Sequence, residues 1–246
     1  MPSPFAQSSY QVRFEWGVEG LARLAPADVV VVVDVLRFSS TMADAVADAP
    51  VALERALLWS SNGAAVAAAA GSGQGTDAGE VDAGEAEAGA IGAAGSDAAA
   101  GPIVLLGGIR NAAATAQAVM TLQERRGART SVSVIAAGER AADGRLRFAV
   151  EDQLGAGAII AALSDLGIDH SAPEAAAVAE SFRALRRGLR HLLIGSGSGR
   201  ELADGVASTT RMQDDGIRPA TVAEAAELDA STIVPVLRRG VFEPFA

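Results

Sequence analysis

Cysteine and lysine are missing from this chain and aromatic residues are scarce. Each shortage excludes a type of chemistry or limits what the hydrophobic core can contain. The 246 residues include no cysteine, which excludes disulfides, thiolate metal sites and cysteine nucleophiles. They also include no lysine, so all 20 basic residues are arginine, and mechanisms that need a Walker, Schiff-base or general-base lysine are excluded. Because aromatic residues make up only 4% of the chain, a core must consist mainly of alanine, valine, leucine and isoleucine.

Positive charge is also in short supply. Thirty acidic residues and 20 basic ones give a net charge of −10, so nucleic-acid binding, which needs a basic face, is not expected. An enzyme of this composition would hold an anionic substrate through arginine, backbone N–H groups or a metal ion. The N-terminus lacks a secretory-signal pattern and the longest apolar runs are too short to span a membrane. We therefore expect a cytoplasmic protein with no membrane partner.

The strongest structural signal is the run of five valines at Val29–Val33. Consecutive β-branched residues without polar alternation predict a strand that is buried on both faces. Asp34 and Arg37 follow directly, and Ser39 and Ser40 can cap the helix predicted to begin there. Open α/β sheets bind ligands at the carboxyl ends of their strands, so these residues are a candidate anion site. An N-cap cluster with an Asp–Arg surface pair explains the motif equally well.

Strand and helix patterns alternate along the chain. Strands are predicted at residues 10–16, 29–33, 103–106, 131–136 and 231–237. Helices are predicted at residues 18–24, 39–47, 64–70, 112–125, 151–166, 173–190 and 222–228, and residues 51–59 are ambiguous. This alternation predicts a single α/β domain over residues 1–246, in which a mostly parallel or mixed sheet lies between two helical layers.

Residues 71–101 differ in composition from the rest. They are glycine, alanine, serine and acidic residues with almost no large apolar side chain. Such a segment cannot bury enough apolar surface to offset the entropy lost on ordering, so we predict a disordered acidic loop. The α/β alternation continues beyond it, which makes it an insertion within one domain rather than a linker.

Carboxylates gather around one predicted strand–loop–helix unit. Gly138 and Glu139 follow a predicted strand, and Glu151 and Asp152 begin the next helix. Oxygen ligands from carboxylates are what Mg²⁺ prefers. Acidic residues also suit the first turn of any helix, because they complement the helix dipole. For Glu151 and Asp152 the spacing alone favours this simpler explanation.

Two glycine-containing segments could bind an oxyanion through backbone N–H groups. The alternating glycine–serine run that reaches Ser198 and Gly199, with Arg200 next, resembles a phosphate cradle. A flexible connector is the competing explanation for it. Asn62 and Gly63 could present N–H groups in the same way, although an ordinary turn explains this dipeptide better.

Seven motifs occur in a fixed order along the chain. They are DVLRFSST at 34–41, SSNG at 60–63, GIRNA at 108–112, AAGER at 136–140, FAVEDQLGAGAI at 148–159, SGREL at 198–202, and AELD at 226–229 with VP at 234–235. Together they resemble the 2-phosphosulfolactate phosphatase (ComB) family, in the form common in high-GC bacteria. The resemblance covers nearly the whole chain outside residues 71–101.

This resemblance implies a Mg²⁺-dependent phosphoric monoester hydrolase. Members of the family convert 2-phospho-3-sulfolactate to 3-sulfolactate and phosphate, a step towards coenzyme M. Asp34, Arg37 and Asp152 would be catalytic, and Asp34, Glu151 and Asp152 would hold Mg²⁺. The residues expected to bind the small anionic substrate are Ser39, Ser40, Asn62, Gly63, Gly138, Ser198, Gly199 and Arg200. The attacking group, water or a carboxylate, stays open.

One segment departs from the family pattern. Family members carry a longer stretch between the first helix and the Asn-Gly turn, with a Gly-Glu-Arg-type loop and an Asn-Ser-Pro-type loop, whereas only residues 48–59 separate these elements here. The alternative function is therefore a catalytically impaired family member that binds an anion or phosphate. An alanine-rich surface could also support a homodimer.

Overall fold

The computed structural model describes residues 3–72, 101–141 and 143–246. The strands are β1 (Val12–Trp16), β2 (Val29–Val33), β3 (Val51–Ala52), β4 (Ile103–Gly107), β5 (Val132–Ala136), β6 (Glu139–Arg140), β7 (Leu146–Arg147), β8 (Pro235–Arg238) and β9 (Val241–Pro244). The helices are α1 (Gly17–Arg23), α2 (Phe38–Asp48), α3 (Leu53–Trp59), α4 (Gly63–Gly71), α5 (Ala112–Arg126), α6 (Val150–Asp165), α7 (Pro173–Leu185), α8 (Leu189–Gly195), α9 (Gly197–Asp204), α10 (Ala207–Asp214) and α11 (Val222–Ala225). Short 3-10 helices lie at Pro4–Ala6, Ile109–Asn111 and Arg186–Gly188.

A mixed seven-stranded sheet forms the centre of the fold, in the order β1-β5-β2-β4-β8-β9-β3. The four strands β1, β5, β2 and β4 are parallel, and β8, β9 and β3 continue the sheet in antiparallel pairs. Strands β6 and β7 form a separate two-stranded hairpin. Helices cover both faces, which confirms the predicted three-layer α/β architecture.

The five valines of β2 divide between two apolar layers because successive side chains of a strand point to opposite faces. Val29, Val31 and Val33 belong to the core shared with α5, α6 and α7. Val30 and Val32 belong to the core shared with α2, α3 and α4. All five are at most 2% exposed, and burying each one contributes roughly 2 kcal/mol to folding.

Helix α6 lies unusually close to its neighbours, and two glycines allow this. A Cβ at Gly155 would lie 2.9 Å from a side-chain carbon of Val33 on the central strand. A Cβ at Gly157 would lie 2.7 Å from Cβ of Phe182 in α7. Glycine is normally costly inside a helix, and here this close packing explains its presence.

The end of the chain differs most from the sequence-based prediction. The strand predicted at 231–237 begins only at Pro235, and β9 was not predicted. The helix predicted at 173–190 is interrupted by the 3-10 turn Arg186–Gly188, and α11 is shorter than the helix predicted at 222–228. The glycine–serine run is a junction between α8 and α9, and not a long loop. Of the insertion predicted at 71–101, residues 73–100 lie outside the described residues.

The ambiguous segment after α2 is a two-residue strand, β3, which runs directly into α3. No loop separates the two elements, since Ala52 is both the last residue of β3 and the N-cap of α3. Across the described residues, no helix combines the length and apolar character needed to cross a bilayer.

Candidate active site

A cavity of about 270 Å³ opens at the carboxyl ends of β2 and β5. Acidic side chains line it from four parts of the chain: the end of β2, the start of β6, the first turn of α6, and α9. These residues are Asp34, Glu139, Glu151, Asp152 and Glu201. The strand-end position is where open α/β sheets bind ligands.

Asp34 is buried at the meeting point of two helix starts. Its Oδ2 accepts hydrogen bonds from the Ser60 hydroxyl at 2.9 Å and from the Gly63 N–H at 3.1 Å, and its Oδ1 lies 3.4 Å from the Phe38 N–H. A Cβ at residue 63 would lie 2.6 Å from Oδ2, so only glycine allows this approach. Burial, with a smaller effect of the Glu139 charge, raises the pKa of Asp34 to about 6 despite these hydrogen bonds.

Asp152 joins helix α6 to the ends of two neighbouring strands. Its Oδ1 accepts the Val35 N–H at 2.7 Å, just after β2, and its Oδ2 accepts the Gly138 N–H at 2.9 Å, just after β5. Burial raises the pKa of Asp152 well above its usual range, and the charges of Asp34 and Glu151 raise it further. The effect of the Asp34 charge on the pKa of Asp152 follows from the short distance between the two carboxyl groups.

Glu139 and Glu151 share one hydroxyl. The Ser198 Oγ lies 3.1 Å from the Glu139 carboxylate and also makes a short hydrogen bond to the Glu151 carboxylate. A hydroxyl has one proton to donate, so Ser198 can donate to only one of the two carboxylates at a time. The two carboxylates therefore converge on one point of the cavity wall.

Arginines from two elements oppose this negative charge. Arg37 lines the cavity and hydrogen-bonds the Thr209 hydroxyl of α10, and burial lowers its pKa. Its Nε is buried and has no hydrogen-bond partner within the described residues. Arg211 also lines the cavity, and its guanidinium donates to the Leu58 carbonyl at 2.7 Å.

The structure brings part of the predicted set into the cavity. The predicted residues that line it are Asp34, Arg37, Asn62, Gly138, Glu151, Asp152 and Ser198. Gly63 contacts the site only through its N–H to Asp34. Ser39 and Ser40 are buried beneath the cavity, where the Ser39 hydroxyl accepts the Asp34 N–H and the Ser40 hydroxyl donates to the Val35 carbonyl.

The last two predicted residues lie outside the cavity lining. Gly199 donates its N–H to the Ser196 hydroxyl at 3.0 Å, and a Cβ there would collide with the Leu193 carbonyl. This glycine therefore serves the tight turn from α8 to α9. Arg200 is exposed and lies on the far side of α9 from Ser198. Because α9 begins at Gly197, Ser198 and Arg200 are two positions apart on a helix and point in nearly opposite directions. The sequence motif does not show this.

Residues of α9 and α10 line the cavity without having been predicted. Glu201, Ser208, Arg211 and Met212 belong to this group. Helix α10 has no strong apolar stripe, and Met212 is its one fully buried residue. For that reason the sequence contained only a weak indication that α10 would contribute to the site.

The carboxylates can be tested for their fit to Mg²⁺. Within the described residues, no three His, Asp or Glu side chains lie close enough together to hold a metal by themselves. Mg²⁺ usually binds one or two carboxylates and keeps several waters. Glu151 and Asp152 are neighbours in the first turn of α6, and each Asp152 oxygen that accepts an N–H retains a second lone pair. The donor set therefore fits a partly hydrated ion.

Fold and cavity together define a three-layer α/β protein with an acidic, arginine-containing site at the strand ends, which suits phosphoryl chemistry. The 2-phosphosulpholactate phosphatase family model matches residues 90–240, more than half of the chain. The chain belongs to this family, which is one of phosphatases. Glu139, Glu151, Asp152 and Ser198 lie within the matched range. A search among curated proteins finds no match.

Proposed function

We propose that this protein hydrolyses a small anionic phosphoester with the help of Mg²⁺, the family substrate being 2-phospho-3-sulfolactate. The observation that supports this proposal best is the convergence of Asp34 and Asp152 on one cavity, together with Arg37. Asp152 is far from Asp34 and Arg37 in sequence, and each of the three side chains is fixed by contacts to backbone or hydroxyl groups. Fixed charges at a strand-end cavity are what phosphoryl transfer needs.

The cavity residues would divide the work of hydrolysis. Of the predicted ligands, Glu151 and Asp152 would hold Mg²⁺ together with water, because no three carboxylates among the described residues lie close enough to bind one ion. When bound, Mg²⁺ would neutralise charge on the phosphoryl oxygens and activate the attacking group. Arg37 would bind a phosphoryl oxygen through its unpartnered Nε. Glu139 lies outside the proposed ligand set, and its carboxylate would keep the Ser198 hydroxyl in place beside Glu151.

Phosphate release is the direct test. We expect Mg²⁺-stimulated release from a panel of phosphorylated small acids, measured by a malachite-green assay. Asp34→Asn and Asp152→Asn should each lower kcat/KM by about a hundredfold or more, because each removes a charge that cannot be replaced locally. Asp165→Asn is the matched control, since Asp165 is exposed at the far end of α6. Equal activity in all four proteins would refute the proposal.

The second candidate is a binding protein that has lost turnover. The direct passage from β3 into α3, with no room for further loops, favours it. In this case inorganic phosphate would raise the melting temperature, yet no phosphate would be released in Mg²⁺, Mn²⁺ or Co²⁺. Turnover of any panel substrate would exclude this second function.

A further inference from the structure

A second cavity adjoins the candidate active site. It has a volume of about 280 Å³, and Glu151 and Ser198 line both it and the main cavity. Arg147 and Phe148, at the end of β7, form its other wall. We call this second cavity the Arg147 groove.

Arg147 is a cation without a partner. Within the described part of the chain, its guanidinium makes no ion pair and donates no hydrogen bond, whereas Arg145 on the same hairpin pairs with Asp143 at 2.9 Å. The Arg147 guanidinium lies against Gly197, where an added Cβ would be 2.9 Å from Nη2. Glycine at 197 therefore leaves space for this charge at the start of α9.

The wall beside Arg147 is apolar and held in place. Phe148 packs on Trp16 with ring centroids 5.2 Å apart, and Trp16 packs edge-on against the buried Phe14. Phe148 nevertheless stays 57% exposed, and it lines the groove. A fixed apolar surface beside a free guanidinium suits a short carbon chain that ends in an oxyanion.

The main cavity is a poor place for a second anionic group. Five acidic side chains line it, against the arginines Arg37 and Arg211. A carboxylate or sulfonate placed there would meet like charge. Arg200, the other arginine expected to bind the substrate, is exposed outside both cavities. Arg37 donates to the Thr209 hydroxyl and Arg211 to the Leu58 carbonyl. Among the described residues that line the two spaces, Arg147 is the arginine whose guanidinium makes neither a hydrogen bond nor an ion pair.

We propose that Arg147 binds a second oxyanion of the substrate, a carboxylate or a sulfonate, while the phosphoryl group occupies the main cavity. Arg147 is then a specificity-determining residue, and it selects phosphorylated acids over simple phosphate esters. This inference rests on the proposed phosphatase function, since it names the substrate class of the same site.

Three substrates separate the groups that Arg147 could bind. Ethyl phosphate has no second oxyanion, 2-phospholactate has a carboxylate, and 2-phospho-3-sulfolactate has both a carboxylate and a sulfonate. In Arg147→Gln, the kcat/KM of the oxyanion-bearing substrates relative to that of ethyl phosphate should fall about ten- to a hundredfold, as expected for loss of a charged hydrogen bond. A fall for both acids identifies the carboxylate, and a fall for the sulfolactate alone identifies the sulfonate.

Arg145→Gln is the matched control because it removes an exposed arginine from the same hairpin, and it should leave these ratios unchanged. An equal loss on all three substrates in Arg147→Gln would overturn the proposal. Calorimetric titration with 3-sulfolactate and with inorganic phosphate gives a measurement that needs no turnover. Arg147→Gln should weaken 3-sulfolactate about tenfold or more relative to phosphate. No binding of 3-sulfolactate to the wild type, or unchanged relative affinities, would also overturn the proposal.

If the wild type releases no phosphate from any substrate, the proposed function fails. The titration still decides the role of Arg147 in that case. The two failures can therefore be told apart.

Discussion

Asp34 shows how one side chain can serve both folding and chemistry. It ends the central strand and accepts hydrogen bonds at the starts of α2 and α4, so its carboxylate fixes two helices relative to β2. It also faces the cavity. Because the group is buried, its pKa is raised to about 6. A buried acid of this kind makes the stability of the protein depend on pH.

The first prediction concerns this pH dependence in metal-free protein. Between about pH 4 and pH 6, folded Asp34 holds a proton that the unfolded chain has released, so the free energy of unfolding falls as the pH rises through this window. The loss attributable to Asp34 should be on the order of 2 kcal/mol. Urea unfolding in EDTA at several pH values measures it.

Asp34→Asn is the comparison that isolates this group. Its unfolding free energy should fall less steeply over the same pH range, whatever its absolute stability. The same pH dependence in both proteins would show that Asp34 does not titrate in the window. The Asp152 carboxyl, whose pKa is also raised, would then be the first group to examine.

At the scale of elements, helix α10 covers the cavity through a small number of contacts. Asp215, directly after α10, accepts hydrogen bonds from the Trp59 indole at 2.7 Å and from Arg55 at 2.9 Å, both on α3. These bonds lower the pKa of Asp215. Because Met212 is the one fully buried residue of α10, polar contacts must contribute much of what holds this helix.

Asp215→Ala should loosen α10. We expect faster amide hydrogen exchange over residues 206–215, since the Trp59 indole N–H loses its acceptor. KM should rise as well, because Arg37 is held by Thr209 on the same helix. Asp214→Ala removes the neighbouring exposed carboxylate and should change neither quantity. Unaltered exchange in Asp215→Ala would contradict this account of α10.

The elements also show what the sequence could and could not predict. Val29–Val33 was predicted as a buried strand because five β-branched residues leave little choice of structure. The meeting of Asp34 and Asp152 followed from the rule that parallel strands end at one sheet edge. The places of Ser198 and Arg200 depended on where α9 begins, which is at the Ser196 N-cap within the glycine–serine run that was interpreted as a phosphate cradle or a connector. Short elements such as β9 and α10 depend on tertiary contacts.

At the scale of the whole molecule, charge opposes the proposed substrate. The chain carries a net charge of −10, and its candidate site is acidic as well. A small anion must approach such a protein against a repulsive field, and arginines in the cavity act only at short range. Association should therefore depend on the concentration of salt.

The corresponding prediction is that salt accelerates the reaction. At a fixed Mg²⁺ concentration, kcat/KM for 2-phospho-3-sulfolactate should rise between about 10 and 150 mM NaCl, because the Debye length falls from about 30 Å to about 8 Å and screens the repulsion. A phosphate ester whose other group carries a positive charge, and whose net negative charge is therefore smaller, should show a weaker rise. A steady fall of kcat/KM with salt would mean that the arginines dominate the field that the substrate meets.

The attachment of helix α6 to both strand ends through Asp152 has an evolutionary consequence. Selection for a folded chain preserves this carboxylate even where selection for turnover has ceased, because its loss would leave the Val35 and Gly138 amides without acceptors. In a family member that no longer needs catalysis, substitutions would accumulate first at residues whose side chains make no structural hydrogen bonds or ion pairs. Within the described residues Arg147 is one of these, and a lineage that has given up the reaction should lose it first.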